Sequence, residues 1–294
     1  MKSLKSIVIL VPLLQAITLM GQDNILPYNP EDSKTYISTN YFGPNAFPVP
    51  DMPKNTSGKL EARLNATGSK GVLGDKAVSA DFSVRVPLWS ERVNISVWGQ
   101  KHEWYWDTEE VRVVRRVAQS EPLVGHVDGD IYFSVDMKIL TETDARPRII
   151  LRGACKTASG DQYPRARFYN SPGYFFDVCA AKDIALGRDF NITAAITAGF
   201  LCWQVDNGRQ NDAMMYGVSL GINCPYLIFG IDYGGYSGWK DDGDRPMTFK
   251  LMAEVLPDKR VSPFLQFEHG FRDWPFDQLK AGIKVSLNIL NNQK

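Results

Sequence analysis

Between positions 130 and 190 several charged residues of this chain fall into sets whose members are spaced by two or a multiple of two. Arg146, Arg148, Arg152 and Lys156 follow one another in this way, with Asp130, Asp136 and Lys138 before them and Asp177 and Asp183 after them. In an extended chain that spacing puts each set on one face. The pattern returns later as Lys250 with Glu254, Gln266 with Glu268, and Lys280 with Lys284. The signs interleave, so such faces can do two things. Facing one another they can pair and fill an enclosed space, or the Arg146, Arg148, Arg152 and Lys156 ladder can line a path for anionic solutes. If the segments run antiparallel, Asp136 lies at the depth of Arg148 and Arg152, and Asp130 lies nearer Lys156.

Other chemistry is poorly supported. Nucleophilic catalysis needs a serine or cysteine within reach of a histidine that a third group orients. His102, His126 and His269 are followed by "EWY", "VDG" and "GFR", so none has a serine two residues on along its face. We expect no enzyme and no cofactor. The acidic turns at Asp128–Asp130 and Asp241–Asp244 lack the ligand spacing of a calcium loop, and no metal site is expected. Cys155, Cys179, Cys202 and Cys224 show no pairing motif and read as small hydrophobes. The formal net charge is +0. No global field favours nucleic acid.

The elements that must carry these faces are strands. From Ser57 onward the hydropathy period is two almost everywhere. Leu60, Ala62, Leu64 and Ala66 oppose Lys59, Glu61, Arg63 and Asn65; Ile131, Phe133, Val135, Met137 and Ile139 oppose Asp130, Tyr132, Ser134, Asp136 and Lys138. About twelve strands of about 9 to 11 residues follow, starting near Lys59, Val78, Arg92, Asp130, Arg146, Gly173, Asn191, Ala213, Tyr226, Pro246, Val261 and Leu279. Short turns alternate with long loops. An even strand count, one wholly apolar face and this alternation predict a transmembrane antiparallel up-and-down β-barrel over residues 57–290, with outer-membrane lipid around it and short turns in the periplasm.

Residues 1–21 read as a signal peptide, with Lys2 and Lys5 ahead of an apolar run and a cut after Gly21. Pro12 and Gln15 interrupt that run, and no stop-transfer charges follow it, which disfavours a membrane anchor. Residues 22–56 are rich in Pro, Gly and Asn. They form either an extended periplasmic tail, with "GPNAFPVPDMP" as a contact for another envelope protein, or a plug in the barrel mouth. Trp104, Tyr105, Trp106, Trp203, Tyr236, Trp239 and Trp274 fall near the long-loop ends, and Trp89 and Tyr226 near the short turns. That is where a membrane interface would hold them.

The closing stretch "KAGIKVSLNIL" resembles the assembly signal of Gram-negative outer-membrane β-barrel proteins: a polar residue, a glycine, then two apolar residues one apart. Here those are Lys280, Gly282, Val285 and Leu287. It departs from the pattern in running on to "NNQK" rather than ending on an aromatic. The resemblance implies a bacterial outer-membrane location, recognition by the barrel-assembly machinery, and both termini in the periplasm. Two functions stay open. One is a narrow, porin-like solute or ion channel whose mixed-charge lumen is lined by Asp136, Arg146, Arg148, Arg152, Lys156, Asp177, Lys250, Glu254, Glu268 and Lys284. The other is a closed barrel that serves as a structural or assembly partner in the envelope.

Overall fold

The computed structural model describes residues 39–161, 165–169, 171–205, 209–237 and 245–290. The expected signal peptide, residues 22–38 and Trp239 lie outside them. The strands are β1 (Lys59–Gly71), β2 (Lys76–Pro87), β3 (Val93–Trp106), β4 (Val124–Val127), β5 (Ile131–Leu140), β6 (Arg148–Lys156), β7 (Gly173–Ala185), β8 (Asn191–Val205), β9 (Arg209–Cys224), β10 (Leu227–Ser237), β11 (Met247–Val255), β12 (Val261–Arg272) and β13 (Phe276–Asn288). A six-residue helix, α1 (Glu109–Val114), follows β3, and Thr108 caps it by accepting from the Val111 amide.

Each long strand pairs antiparallel with its neighbours, β1 pairs with β13, and β2–β3 pairing completes the ring. The short β4 only extends the end of β3. The result is a closed barrel of twelve strands. Closure leaves no open sheet edge, as a sheet in lipid requires.

Alternation fixes which face looks out. Leu64 (62% exposed), Ile196 (59%), Met214 (63%) and Leu220 (53%) stand on the outer surface among Val78, Phe133, Val135, Phe176 and Val178. Leaving such side chains half in water forfeits about 1 kcal/mol or more apiece, so a continuous band of them calls for an apolar surrounding. The opposite positions are buried and polar, including Thr67, Ser79, Asp136, Arg152, Asp177 and Lys284. Cys155 faces out and Cys179 faces in, as hydrophobe-like cysteines on opposite faces should.

Register explains one glycine. A Cβ on Gly282 would collide with the Leu64 carbonyl and stand 2.5 Å from the Asn65 Cβ across the β1–β13 seam. A larger residue there would force apart the pair that closes the ring. The strands start within a few residues of their expected positions, but β8 and β9 span 15 and 16 residues. Strands of that length outrun the hydrocarbon and continue as a hairpin beyond it.

Candidate functional site

The site is the lumen, and the chain itself runs through it. Thr39 contacts the Asp273 carbonyl at the long-loop end of the barrel. From there the chain passes Phe42 and Phe47, both 1% exposed, and continues through Val49, Met52 and Lys54 to enter β1 at the short-turn end. Proline at 44, 48, 50 and 53 keeps it extended and removes amides that would otherwise need partners. Wall side chains satisfy its carbonyls. Trp274 Nε1 donates to the Pro44 carbonyl at 3.2 Å, the Tyr236 hydroxyl to that of Phe47 at 3.1 Å, Lys250 Nζ to that of Val49 at 3.1 Å and Arg148 Nε to that of Lys54 at 2.8 Å. Gly217 on β9 makes room for the strap: a Cβ there would lie 2.9 Å from Met52 Sδ.

In the long-loop half the strap is held by packing. Phe42 and Phe47 meet edge to face at 5.3 Å, Phe47 lies 5.7 Å from Tyr169 and 6.2 Å from Trp203, and Tyr132, Phe175, Leu201, Met215 and Tyr236 complete the cluster. The loop before β7 closes over it. Lys156 and Asp130, both fully buried, pair at 2.7 Å, and Lys156 also donates to the Tyr169 and Ser171 carbonyls. Beside them Arg167, 0% exposed, reaches Glu103 at 2.8 Å, Asp75 at 2.7 Å and Asp107 at 3.0 Å, while Arg115 reaches Asp75 at 2.5 Å. Asn45 of the strap donates to Glu103 at 3.0 Å, which ties loop and strap together. Three carboxylates face two guanidiniums. Burial, with Asp75 alongside, pushes the Asp107 carboxyl up to about 6 despite both arginines. Asp75 is buried too, but Arg115 and Arg167 outweigh burial and hold it well below the usual carboxylate range.

In the short-turn half the contacts are ionic. Arg152 forms a bidentate pair with Asp177 at 2.7 and 3.0 Å and lies over the Phe175 ring at 4.9 Å. Asp136 is its partner in register on β5. Arg148 contacts Glu142 at 2.5 Å and Asp183 at 3.0 Å. Glu254 pairs with Lys284, and with Arg63 at 3.4 Å. Nearer mid-height, Lys250 takes Asp51 of the strap at 2.6 Å and Glu268 at 3.4 Å, while Lys54 of the strap takes Asp232 at 2.8 Å. A cavity between Val49, Met52, Asp232 and Lys250 measures about 20 Å³, room for a water or two.

Thus Asp136, Arg148, Arg152, Lys156, Asp177, Lys250, Glu254, Glu268 and Lys284 face the lumen and are buried. Arg146 does not. It is exposed in the β5–β6 turn, bridged to Thr143, because Pro147 ends the turn and the strand begins at Arg148. On β13, Lys280 and Gly282 face the lumen side and Val285 and Leu287 the other, by the same alternation.

The aromatics require a second correction. Trp104 and Trp106, each 44% exposed, point outward near the long-loop rim, and Trp89 and Tyr226 are exposed at the short-turn end. Tyr105, Trp203, Tyr236 and Trp274 instead point inward, at 2% exposure or less. Nearness to a strand end does not decide the face; parity along the strand does, as "EWYW" shows by turning Tyr105 inward between two outward tryptophans. Sequence reasoning also missed the Arg167 cluster, because Arg167 lies in a loop with no period to place it. Glu103 was the available signal, a lone carboxylate at an inward position amid aromatics.

No family model and no curated protein matches the chain. Among solved structures, an outer-membrane channel from Pseudomonas putida F1 matches with a TM-score of 0.55 at 10% identity, covering 81% of this chain and 100% of that one. NanC porin matches at 0.48 and 10%, covering 76% and 100%. KdgM porin in complex with disordered oligogalacturonate matches at 0.46 and 11%, covering 77% and 99%. Identities this low speak for the fold alone, and of these three matches we rest that on the first. The chain has the fold of an outer-membrane protein, a closed antiparallel barrel of twelve strands.

Proposed function

We infer that this protein is an outer-membrane channel gated by its own N-terminal segment. The observation that carries this reading is the strap: residues 39–56 run through a lumen whose inner wall is polar and charged, and side chains rather than sheet pairing hold them there. An element held by side chains can leave without opening the barrel. Once it leaves, Arg148, Arg152, Lys250 and Lys284 line the path with Asp136, Asp177, Glu254 and Glu268 between them, a mixed-charge lumen for small polar or anionic solutes.

In this reading residues 1–21 direct export and are removed. Lys280, Gly282, Val285 and Leu287 are the signal that the barrel-assembly machinery takes up. The short turns and the end of β13 face the periplasm. Thr39 lies in the opposite half of the lumen, and residues 22–38 lie outside the described residues.

A reversible lock tests the gate. With the four native cysteines replaced, Met52→Cys with Gly217→Cys joins strap to wall. The full chain should show intermittent openings in planar bilayers that vanish on oxidation and return on reduction. Openings that persist through a completed crosslink would sink the gate.

A second reading, the closed structural barrel, draws on pairs the wall makes with itself: Arg152–Asp177, Lys284–Glu254 and Lys250–Glu268. It predicts an electrically silent barrel with or without the strap.

A further inference from the structure

The upper part of the strap occupies its surroundings as a ligand would. Within a few residues it presents two aromatic rings, Phe42 and Phe47, and two carbonyl oxygens, those of Pro44 and Phe47. The wall answers with rings and hydrogen-bond donors: Trp203 and Tyr169 around Phe47, the Tyr236 hydroxyl and Trp274 Nε1 on the carbonyls. Two further donors of the same wall are left without an acceptor. Trp203 Nε1 and the Tyr132 hydroxyl belong to side chains 1% and 2% exposed, and neither atom has a hydrogen-bond partner among the described residues. A buried donor left unpaired costs about 1–3 kcal/mol, so a wall that keeps two of them is suited to something the strap does not supply.

We propose that the cluster around Phe47 is a binding site for a small aromatic compound bearing carbonyl or carboxylate oxygens, with Phe42 to Phe47 as a tethered occupant that the ligand displaces. This rests on the gated-channel reading and names the class of solute the gate admits. The donors select for oxygen acceptors. The rings Phe175, Tyr169 and Trp203 select for a flat apolar body, since aromatic pairs gain from edge and offset geometry beyond the area they bury.

The test is calorimetric titration of benzoate into the full protein in detergent, beside cyclohexanecarboxylate and toluene, with heat-shifted gel mobility as the check that each variant is a folded barrel. Phe47→Ala removes the occupying ring and should bind benzoate at least about tenfold tighter than the unaltered chain, as expected for removing one well-packed ring that competes with the ligand. Trp203→Phe placed on Phe47→Ala should lose most of that gain, because the ring stays and the donor goes. Cyclohexanecarboxylate should bind several-fold more weakly than benzoate, and toluene weaker still.

Folded variants that do not bind benzoate would overturn the site. Toluene binding as tightly as benzoate would overturn the oxygen-acceptor part, and indifference to Trp203→Phe would overturn the role given to its donor. The gate is judged separately by conductance. Openings without benzoate binding would keep the gate and reject the ligand; benzoate binding in a silent barrel would do the reverse.

Discussion

The two halves of the lumen hold the same strap by different physics. In the long-loop half, Phe42 and Phe47 sink into rings, and the charges nearby sit in a dry cluster around Arg167, 0% exposed. Below the rings, from mid-height toward the short turns, the strap is tied by Lys54–Asp232, whose side chains keep 26% and 21% of their exposure, and by Asp51, 64% exposed, on Lys250, 10% exposed. Packing and buried pairs are stiff and insensitive to salt, whereas partly exposed pairs are weaker and screened. In the gated-channel reading the long-loop half therefore works as the latch and the stretch toward the short turns as the hinge. Release should begin among the exposed pairs and end at the rings.

The largest effect expected from breaking this contrast is at Arg167. Arg167→Ala leaves Glu103, Asp75 and Asp107 with Arg115 alone, and removing one partner of a buried pair costs about 3–5 kcal/mol. Urea unfolding in detergent should show a loss of that order, together with more frequent openings. A loss below about 1 kcal/mol would mean that the cluster is no latch.

Arg152→Ala should cost somewhat less, about 3 kcal/mol, because Thr197 still donates to Asp177 at 3.0 Å. Adding Asp177→Asn should recover much of the loss, since the unpaired charge goes. A double variant worse than Arg152→Ala would contradict the pair's role.

The Asp107 carboxyl gives the contrast a pH signature. Its ordinary value is 3.8 and burial lifts it to about 6, so between those values the folded protein holds a proton that the unfolded chain has lost. Its contribution is complete below 3.8 and is lost as pH rises through about 6, lowering stability by about 3 kcal/mol across the window. Asp75 has the opposite sign, and its contribution is lost only in stronger acid, below its ordinary range. Asp107→Asn should flatten the slope between pH 4 and 6 in heat-shift measurements. An unchanged slope would place the proton elsewhere.

The smallest effect belongs to the hinge. Lys54→Ala removes a pair from Asp232 that Ser219 still contacts at 2.6 Å, so stability should fall by less than about 1 kcal/mol and openings should rise modestly. The difference from the unaltered chain should shrink in high salt. A loss matching that of Arg167→Ala would erase the distinction between the halves.

Much of the wall was legible because a strand has only two faces. Once Ile131 to Ile139 are seen to alternate, Asp136 must face inward, and antiparallel order then brings it opposite Arg152. Parity failed where the strand stopped, as at Arg146 in its turn, and where proximity to a strand end was used in its place, as with Trp203, Tyr236 and Trp274. The latch was not legible. Arg167 meets Glu103 across 64 residues and Asp75 across 92, from a loop whose path no local pattern specifies. The strap was half legible: "GPNAFPVPDMP" is apolar enough to need a surface, but only a closed lumen of this width shows that the surface is internal.

The most direct measurement is single-channel conductance of the refolded protein with and without residues 39–56, on barrels that pass the heat-shift check. A gate predicts rare, brief openings for the full chain and a steady open level for the shortened one, with ion preference altered by Arg148→Ala and Arg152→Ala. A folded, shortened barrel that stays electrically silent would contradict the account and leave a wall that closes on itself.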